Sequence, residues 1–302
     1  MGLDSNACRL LLYAKRRGAV FTHTITLGRL ALRLNRRMMR RLFKEFELYN
    51  NDDQINRIFS SPEGFSEPFF YELGAEQIDS VDATDYEGAS FVHDLNCELP
   101  QKSELMYDAV VDGGTLEHVF NFPTALKTSM NAVKIGGHFF AITQCNNAMG
   151  HGFYQFSPEL YFRVFSPDNG FVLENMFIAE GSFGVVPWYS VADPLQVNHR
   201  VELVNDVQTY LLVIARRVAM APIFKSWPQQ SDYAAAWREQ KPDTSFRPIS
   251  KAEFNWRDEL PPGFKRFARG LLNFFRRRFF YPLYERADLR VLAKIPFKPI
   301  GS

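Results

Sequence analysis

Five short runs rich in β-branched and aromatic residues punctuate the middle of the chain: INRIF (55–59), QIDSVDA (77–83), SFVHDL (90–95), YDAVVDGG (107–114) and HFFAITQ (138–144). Between several of them the pattern changes from the two-residue period of a strand to helical spacing, as in EPFFYELGA and FPTALKTSMNAVKIGG. Strands separated by helices are joined by crossovers, and a crossover returns the chain parallel to the strand it left. Ala109, Val110 and Val111 make the fourth run apolar on both faces, as a strand covered by helices on each side must be. FVLENMFIAE and VQTYLLVIARR add two later strands. The expectation is an α/β fold: a doubly wound, mostly parallel, seven-stranded sheet over residues 51–218.

The flanks read differently. Residues 1–50 are predicted as a basic helical extension, and 219–302 as an irregular, proline-punctuated linker followed by a basic amphipathic helix ended by Pro282. Lys and Arg dominate both ends while Asp and Glu crowd 51–120, so the formal net charge of only +1 conceals a strong asymmetry. The basic ends either neutralise the acidic middle or offer a cationic surface, for which peripheral contact of Phe264–Pro282 with an anionic membrane is one expectation. Nucleic-acid reading motifs are absent. With 302 residues, 46% of them hydrophobic, the chain buries a large core, yet no run of eighteen apolar residues would span a bilayer. Three dispersed cysteines and no export signal predict reduced thiols and a cytoplasmic location.

In a wound sheet, ligands sit beyond the carboxyl ends of the strands. The polar residues of this chain gather there: Ser60 and Ser61, Asp82, Asp94, Asp112, then Thr143 and Gln144. No dinucleotide fingerprint, P-loop, HExxH or GxSxG is present, which counts against the commonest nucleotide, zinc-protease and serine-hydrolase readings and leaves a nucleotide-sugar or nicotinamide enzyme with an atypical loop as a weaker alternative.

The passages IDSVDATDYEGA, FVHDLN, YDAVVDGGTLEHV and VKIGGHFFAIT together resemble class I S-adenosylmethionine-dependent methyltransferases, with a Rossmann-like sheet, over about residues 55–218. The resemblance implies a cofactor loop at Ser60, Ser61 and Gly64, an acid at Asp82 for the ribose hydroxyls, and Asp94 with Leu95 at the adenine. It also implies close backbone approach at Asp112 and Gly113. Glu117, Tyr154 and Gln155 are candidates to face the acceptor, and His118 and His151 are candidate proton-moving groups. His118 and His151 could pair on a metal, but no third ligand at a sensible spacing is visible in the sequence, so no metal is expected.

The implied function is methyl transfer from S-adenosylmethionine to an oxygen or nitrogen of a small molecule or of a glycan or lipid-linked precursor. The loop at 60–65 keeps only one glycine, so the alternative is a binding or scaffold protein of the same fold without catalysis.

Overall fold

The computed structural model describes residues 2–98, 106–181, 184–197, 201–203, 205–236 and the pair 293–294. The chain enters its main sheet much earlier than residue 51. After β1 (Gly2–Leu3) and α1 (Ser5–Arg16) come β2 (His23–Leu27), β3 (Ala31–Leu32), α2 (Arg36–Glu45), α3 (Asp52–Ile58) and α4 (Glu67–Glu72). Then follow β4 (Gln77–Asp82), β5 (Phe91–Val92), β6 (Tyr107–Asp112), α5 (Phe122–Ala132) and β7 (Val133–Asn146). The remaining elements are α6 (Pro158–Val164), β8 (Phe171–Glu180), β9 (Trp188–Ser190), α7 (Pro194–Val197), β10 (Thr209–Arg217), α8 (Ser231–Ala236) and β11 (Ala293–Lys294).

Among the described residues nine strands form the main sheet, in the order β11-β9-β8-β10-β7-β6-β2-β4-β5. The run β7-β6-β2-β4-β5 is parallel. β10 pairs antiparallel with both β7 and β8, and β9 and β11 continue antiparallel. The doubly wound α/β architecture thus holds, but the sheet is mixed and has nine strands rather than seven. Winding starts at β2, moves one way through β4 and β5, then returns to the other side for β6 and β7. The switch point therefore lies between β2 and β6.

Two sequence expectations change here. INRIF is not a strand. Asn51 caps α3 by accepting from the Gln54 amide, Asp52 and Asp53 occupy the positive end of the helix dipole, and Ile55 and Ile58 bury one face. The i, i+3 apolar spacing outweighed the β-branched composition. The strand role belongs instead to His23–Leu27, HTITL, which lies in the middle of the parallel ladder. Residues 1–50 are therefore built into the α/β unit and are not an extension.

The basic N-terminal residues meet acids close by: Arg9 with Glu45, Arg16 with Glu47, Arg40 with Asp52. Arg9 also stacks over Trp188, 4.4 Å from the ring centroid, and donates to the Val186 carbonyl, so α1 is tied to the far side of the sheet. The expected C-terminal amphipathic helix, with its membrane contact, lies outside the described residues. Among the described residues no helix is long and apolar enough to cross a membrane.

The sheet divides two cores. Ala109, Val111, Phe140 and Ile142 face α1–α4, whereas Val110, Phe139 and Ala141 face α5 and α6. Alternation of side chains places neighbours of one apolar run on opposite faces, and both faces are covered. That double burial holds β6 and β7 rigid and makes their carboxyl ends a firm rim.

Candidate functional site

Parallel strands end on one side, so Leu27, Asp82, Val92 and Asp112 finish along a common edge. A cleft of about 430 Å³ opens there, lined by Val81, Asp82, His93, Asp94, Leu95, Asn96, Thr115, His118 and Val119. Asp82, Asp94 and Leu95, predicted to share a site, share this one.

Each wall has a local cause. Asp82 closes β4 and turns its Oδ1 to accept from the Ala83 amide at 2.7 Å. Its backbone carbonyl accepts from the His93 amide, which pins the next wall against it. Asp94 takes both the Asn96 amide (2.9 Å) and the Asn96 side-chain nitrogen (2.7 Å), and these donors hold its carboxyl below the usual range. Asn96 in turn accepts from the Asn121 amide, linking the wall to the start of α5. Leu95 is buried and supplies an apolar surface beside these polar groups.

Asp112 is placed differently from expectation. It is fully buried and does not line the cleft. Its Oδ1 accepts from the amides of Thr115 (2.8 Å) and Leu116 (3.3 Å), so it shapes the turn that leads out of β6. The Thr115 hydroxyl donates to the Leu27 carbonyl and stitches that turn to the end of β2. Gly113 is tight for another reason: a methyl group there would sit 2.7 Å from Leu30 Cδ1. Leu30, 1% exposed, fills the space over the switch point where a glycine-rich loop would leave backbone open.

The loop at 60–65 follows a helix, not the first strand. Leu32 donates to the Gly64 carbonyl, and Ser66 donates to the Leu30 carbonyl, so Ser60, Ser61 and Gly64 belong to a flap beside residues 30–32. Arg29 fastens that flap by pairing with Glu63 and Glu67 and lying 3.9 Å from the Phe65 ring centroid. The segment after the first strand is Gly28-Arg29-Leu30. HTITL followed by glycine was the signal for it, hidden in the basic flank.

At the cleft's other end three side chains converge. Glu117 and His118 lie on a 3-10 turn, Leu116–His118, and the loop 147–155 folds back over them. The Phe153 and Tyr154 amides both donate to the Glu117 carbonyl, at 2.7 and 3.2 Å. A methyl group on Gly152 would lie 2.7 Å from that same oxygen, so only glycine permits this approach. His151 is thereby brought against His118, with ring centroids 5.0 Å apart, and its Nε2 lies 3.8 Å from Glu117 Oε1. Both imidazoles are partly open to solvent while Glu117 is 1% exposed. Burial, and next the charge of Asp112, push the Glu117 carboxyl up; burial raises Asp112 as well. His118 is lowered, first by burial and then by His151.

Tyr154 and Gln155 brace the loop instead of facing the cleft. The Tyr154 hydroxyl donates to the Phe120 carbonyl at 2.7 Å, and Gln155 Oε1 accepts from the Ala148 amide at 2.8 Å. Sequence reasoning missed His93, Asn96, Thr115 and Val119 as walls. All four lie within the passages FVHDLN and YDAVVDGGTLEHV, beside the residues singled out there, and the strand order brings the two passages together.

No family model matches the chain, and no curated protein matches it. Among solved structures it is similar to the MccD protein, with 13% identity, a TM-score of 0.38, and coverage of 72% of this chain and 100% of that one. It is similar also to the 1,6-didemethyltoxoflavin-N1-methyltransferase of Burkholderia thailandensis (13%, 0.38, 71% and 78%). A third is an S-adenosylmethionine-dependent methyltransferase from Mesorhizobium loti (15%, 0.38, 68% and 98%).

Proposed function

We propose that the protein is an S-adenosylmethionine-dependent methyltransferase acting on an oxygen or nitrogen of a small molecule. The observation that carries this reading is the cleft itself, which gathers Asp82, Asp94 and Leu95 beyond the carboxyl ends of β4 and β5, next to the switch point. In this reading the Asp82 carboxylate accepts from the two ribose hydroxyls, a pair of donors that suits two carboxylate oxygens. Asp94 and Asn96 present an acceptor and an amide to the base edge, and Leu95 and Val119 flank its plane. The residues present fit an adenosine-sized ligand in polarity and volume.

The cofactor supplies an activated methyl group on a sulfonium. The chain's own task is alignment and removal of the acceptor proton. Holding the nucleophile in line accounts for much of the rate. His118, made less basic by burial and by its neighbour, and His151 stand where that proton would leave, with Glu117 behind them. The acceptor would enter past Phe120, Met149 and Phe153, three exposed apolar side chains on the loops that carry these groups. A small aromatic or apolar acceptor suits that rim better than a bulky polar precursor.

A second reading, a scaffold without cofactor, is favoured by one observation: Leu30 packed over Gly113. Calorimetric titration with S-adenosylhomocysteine separates the two. Micromolar binding that is weakened at least tenfold by Asp82→Ala supports the enzyme. Absence of heat at millimolar ligand favours the scaffold.

A further inference from the structure

We infer that Glu117, His118 and His151 form a binding site for one divalent transition-metal cation, at the acceptor end of the cleft. The inference stands on these side chains and does not require that the cofactor binds.

Each residue offers one ligand atom, and the three atoms lie within 4.8 Å of one another. A cation held at about 2.0–2.2 Å by nitrogen and oxygen ligands needs them roughly 3.3 Å apart. The remaining closure falls to the two imidazoles, which can turn. Both reach solvent, and neither ring makes a side-chain hydrogen bond within the described residues. The carboxylate, by contrast, is already oriented. Thr143 Oγ1 donates to Glu117 Oε2 at 3.0 Å, which leaves Oε1 directed at His151. An outer partner that fixes one oxygen and frees the other is what a ligand carboxylate needs.

The surroundings also suit a positive charge. Glu117 and Asp112 are two buried acids on one short segment, and Asp112 Oδ2 has no hydrogen-bond partner. With only neutral donors from Thr143 and the backbone around Glu117, an ionised carboxylate there is costly out of water, and a bound cation would supply the opposite charge that the ionised form lacks. His151 Nε2 lies 3.8 Å from Glu117 Oε1. A cation between Glu117 and the imidazoles offsets that charge and leaves coordination positions open toward solvent.

Two imidazoles and one carboxylate select among cations. Mg²⁺ and Ca²⁺ prefer all-oxygen shells, whereas this donor set suits Zn²⁺, and Mn²⁺ or Fe²⁺ less tightly. With the cation bound, the two imidazoles would serve as ligands in place of proton acceptors, and the open positions would take an acceptor oxygen and make its proton easier to lose to solvent.

The test is calorimetric titration of chelator-treated full-length protein with ZnCl₂, MnCl₂ and MgCl₂ separately. The expected result is one Zn²⁺ per chain, bound at least a hundredfold more tightly than Mg²⁺, with Mn²⁺ between them. His151→Ala, a change on an exposed loop that leaves the core intact, should weaken Zn²⁺ at least tenfold, as should His118→Ala. Substitution of Co²⁺ should give visible d–d bands that disappear in the double variant. Zn²⁺ binding that survives in the double-histidine variant, or no saturable binding in the parent, overturns the assignment. Because S-adenosylhomocysteine binding is measured separately, failure of the metal site and failure of the cofactor reading give different results.

Discussion

Thr143 Oγ1, near the end of β7, donates to Glu117 Oε2 on the turn after β6, joining the carboxyl ends of two neighbouring strands through one buried hydrogen bond. Thr143→Val removes the donor while keeping the volume. A buried carboxyl oxygen then lacks its partner, which costs about 1–3 kcal/mol. Thr143→Ser retains the hydroxyl and should recover most of the loss. If Thr143 also orients Glu117 for a cation, Zn²⁺ affinity in the valine variant falls about 10–100-fold. Denaturant titration and calorimetry on the three proteins check both parts. Equal Zn²⁺ affinity in valine and parent would mean that the hydrogen bond serves packing alone.

Leu30 and Gly113 form a contact with a definite energetic signature. Gly113→Ala puts a methyl group 2.7 Å from Leu30 Cδ1, and overpacking of that kind costs about 1–3 kcal/mol. Leu30→Ala empties a buried position and costs about 2–5 kcal/mol. In the double variant the new methyl occupies part of the vacated space. Its destabilisation should fall short of the sum of the singles by about 1 kcal/mol or more, well outside the additivity of independent sites. Strict additivity would show that the two side chains do not compete for the same volume. Leu30→Ala should also bind S-adenosylhomocysteine more tightly than the parent if Leu30 narrows the cofactor end.

Among the described residues the Asp82 carboxylate accepts only from the Ala83 amide, and it faces the cleft, so this side chain serves the ligand far more than the fold. Asp82→Asn should change stability by no more than about 0.5 kcal/mol, as surface substitutions usually do. It should still weaken S-adenosylhomocysteine at least tenfold, because an amide offers one acceptor where the carboxylate offered two. Asp112→Asn should behave in the opposite way. Its Oδ1 caps the turn and it does not touch the cleft, so the change should show in thermal unfolding before it shows in ligand binding. The ratio of the two effects, measured on both variants, checks the assignment.

The sheet was legible wherever composition and burial agreed. YDAVVD is apolar on both faces because both faces are covered, and FVLENMFIAE forms β8 over the residues its alternation marks. HTITL carried the same β-branched signal, but basic residues on either side made residues 1–50 read as helices on a surface. Their charges are instead matched locally, by Glu45, Glu47 and Asp52 among others. INRIF failed in the reverse direction: two isoleucines three apart fit a helix face as well as a strand, and the Asn51 cap decides it. At the site, strand-end acids were a sound guide for Asp82 and Asp94. For Asp112 the same rule misled, since a carboxylate before two glycines can cap the turn they make. The third member of the histidine cluster was invisible because Glu117 and His118 are chain neighbours. Spacing could not show that the loop at 147–155 returns over them.

The two buried acids also set a pH dependence, which the metal-stripped protein should reveal. Burial is the largest cause of the upward shift in Asp112 and in Glu117, and backbone hydrogen bonds oppose it without prevailing. In an unfolded chain such carboxyls ionise near pH 4. The folded protein keeps their protons to higher pH, so between those limits the unfolded state binds fewer protons than the native one. Stability from these groups therefore falls as pH rises, starting at about pH 4 and ending once the raised folded values are passed. Below about pH 4 both states are protonated and nothing changes. Glu117→Gln resembles the protonated acid at every pH and removes one of the two contributions. In chelator, the parent's thermal midpoint should drop relative to that of Glu117→Gln between about pH 5 and pH 8. Saturating Zn²⁺ should reverse the trend in the parent alone, because the cation binds the ionised carboxylate and deprotonation then favours the folded state. A parent and variant that track each other across this range would show that Glu117 carries no strained proton.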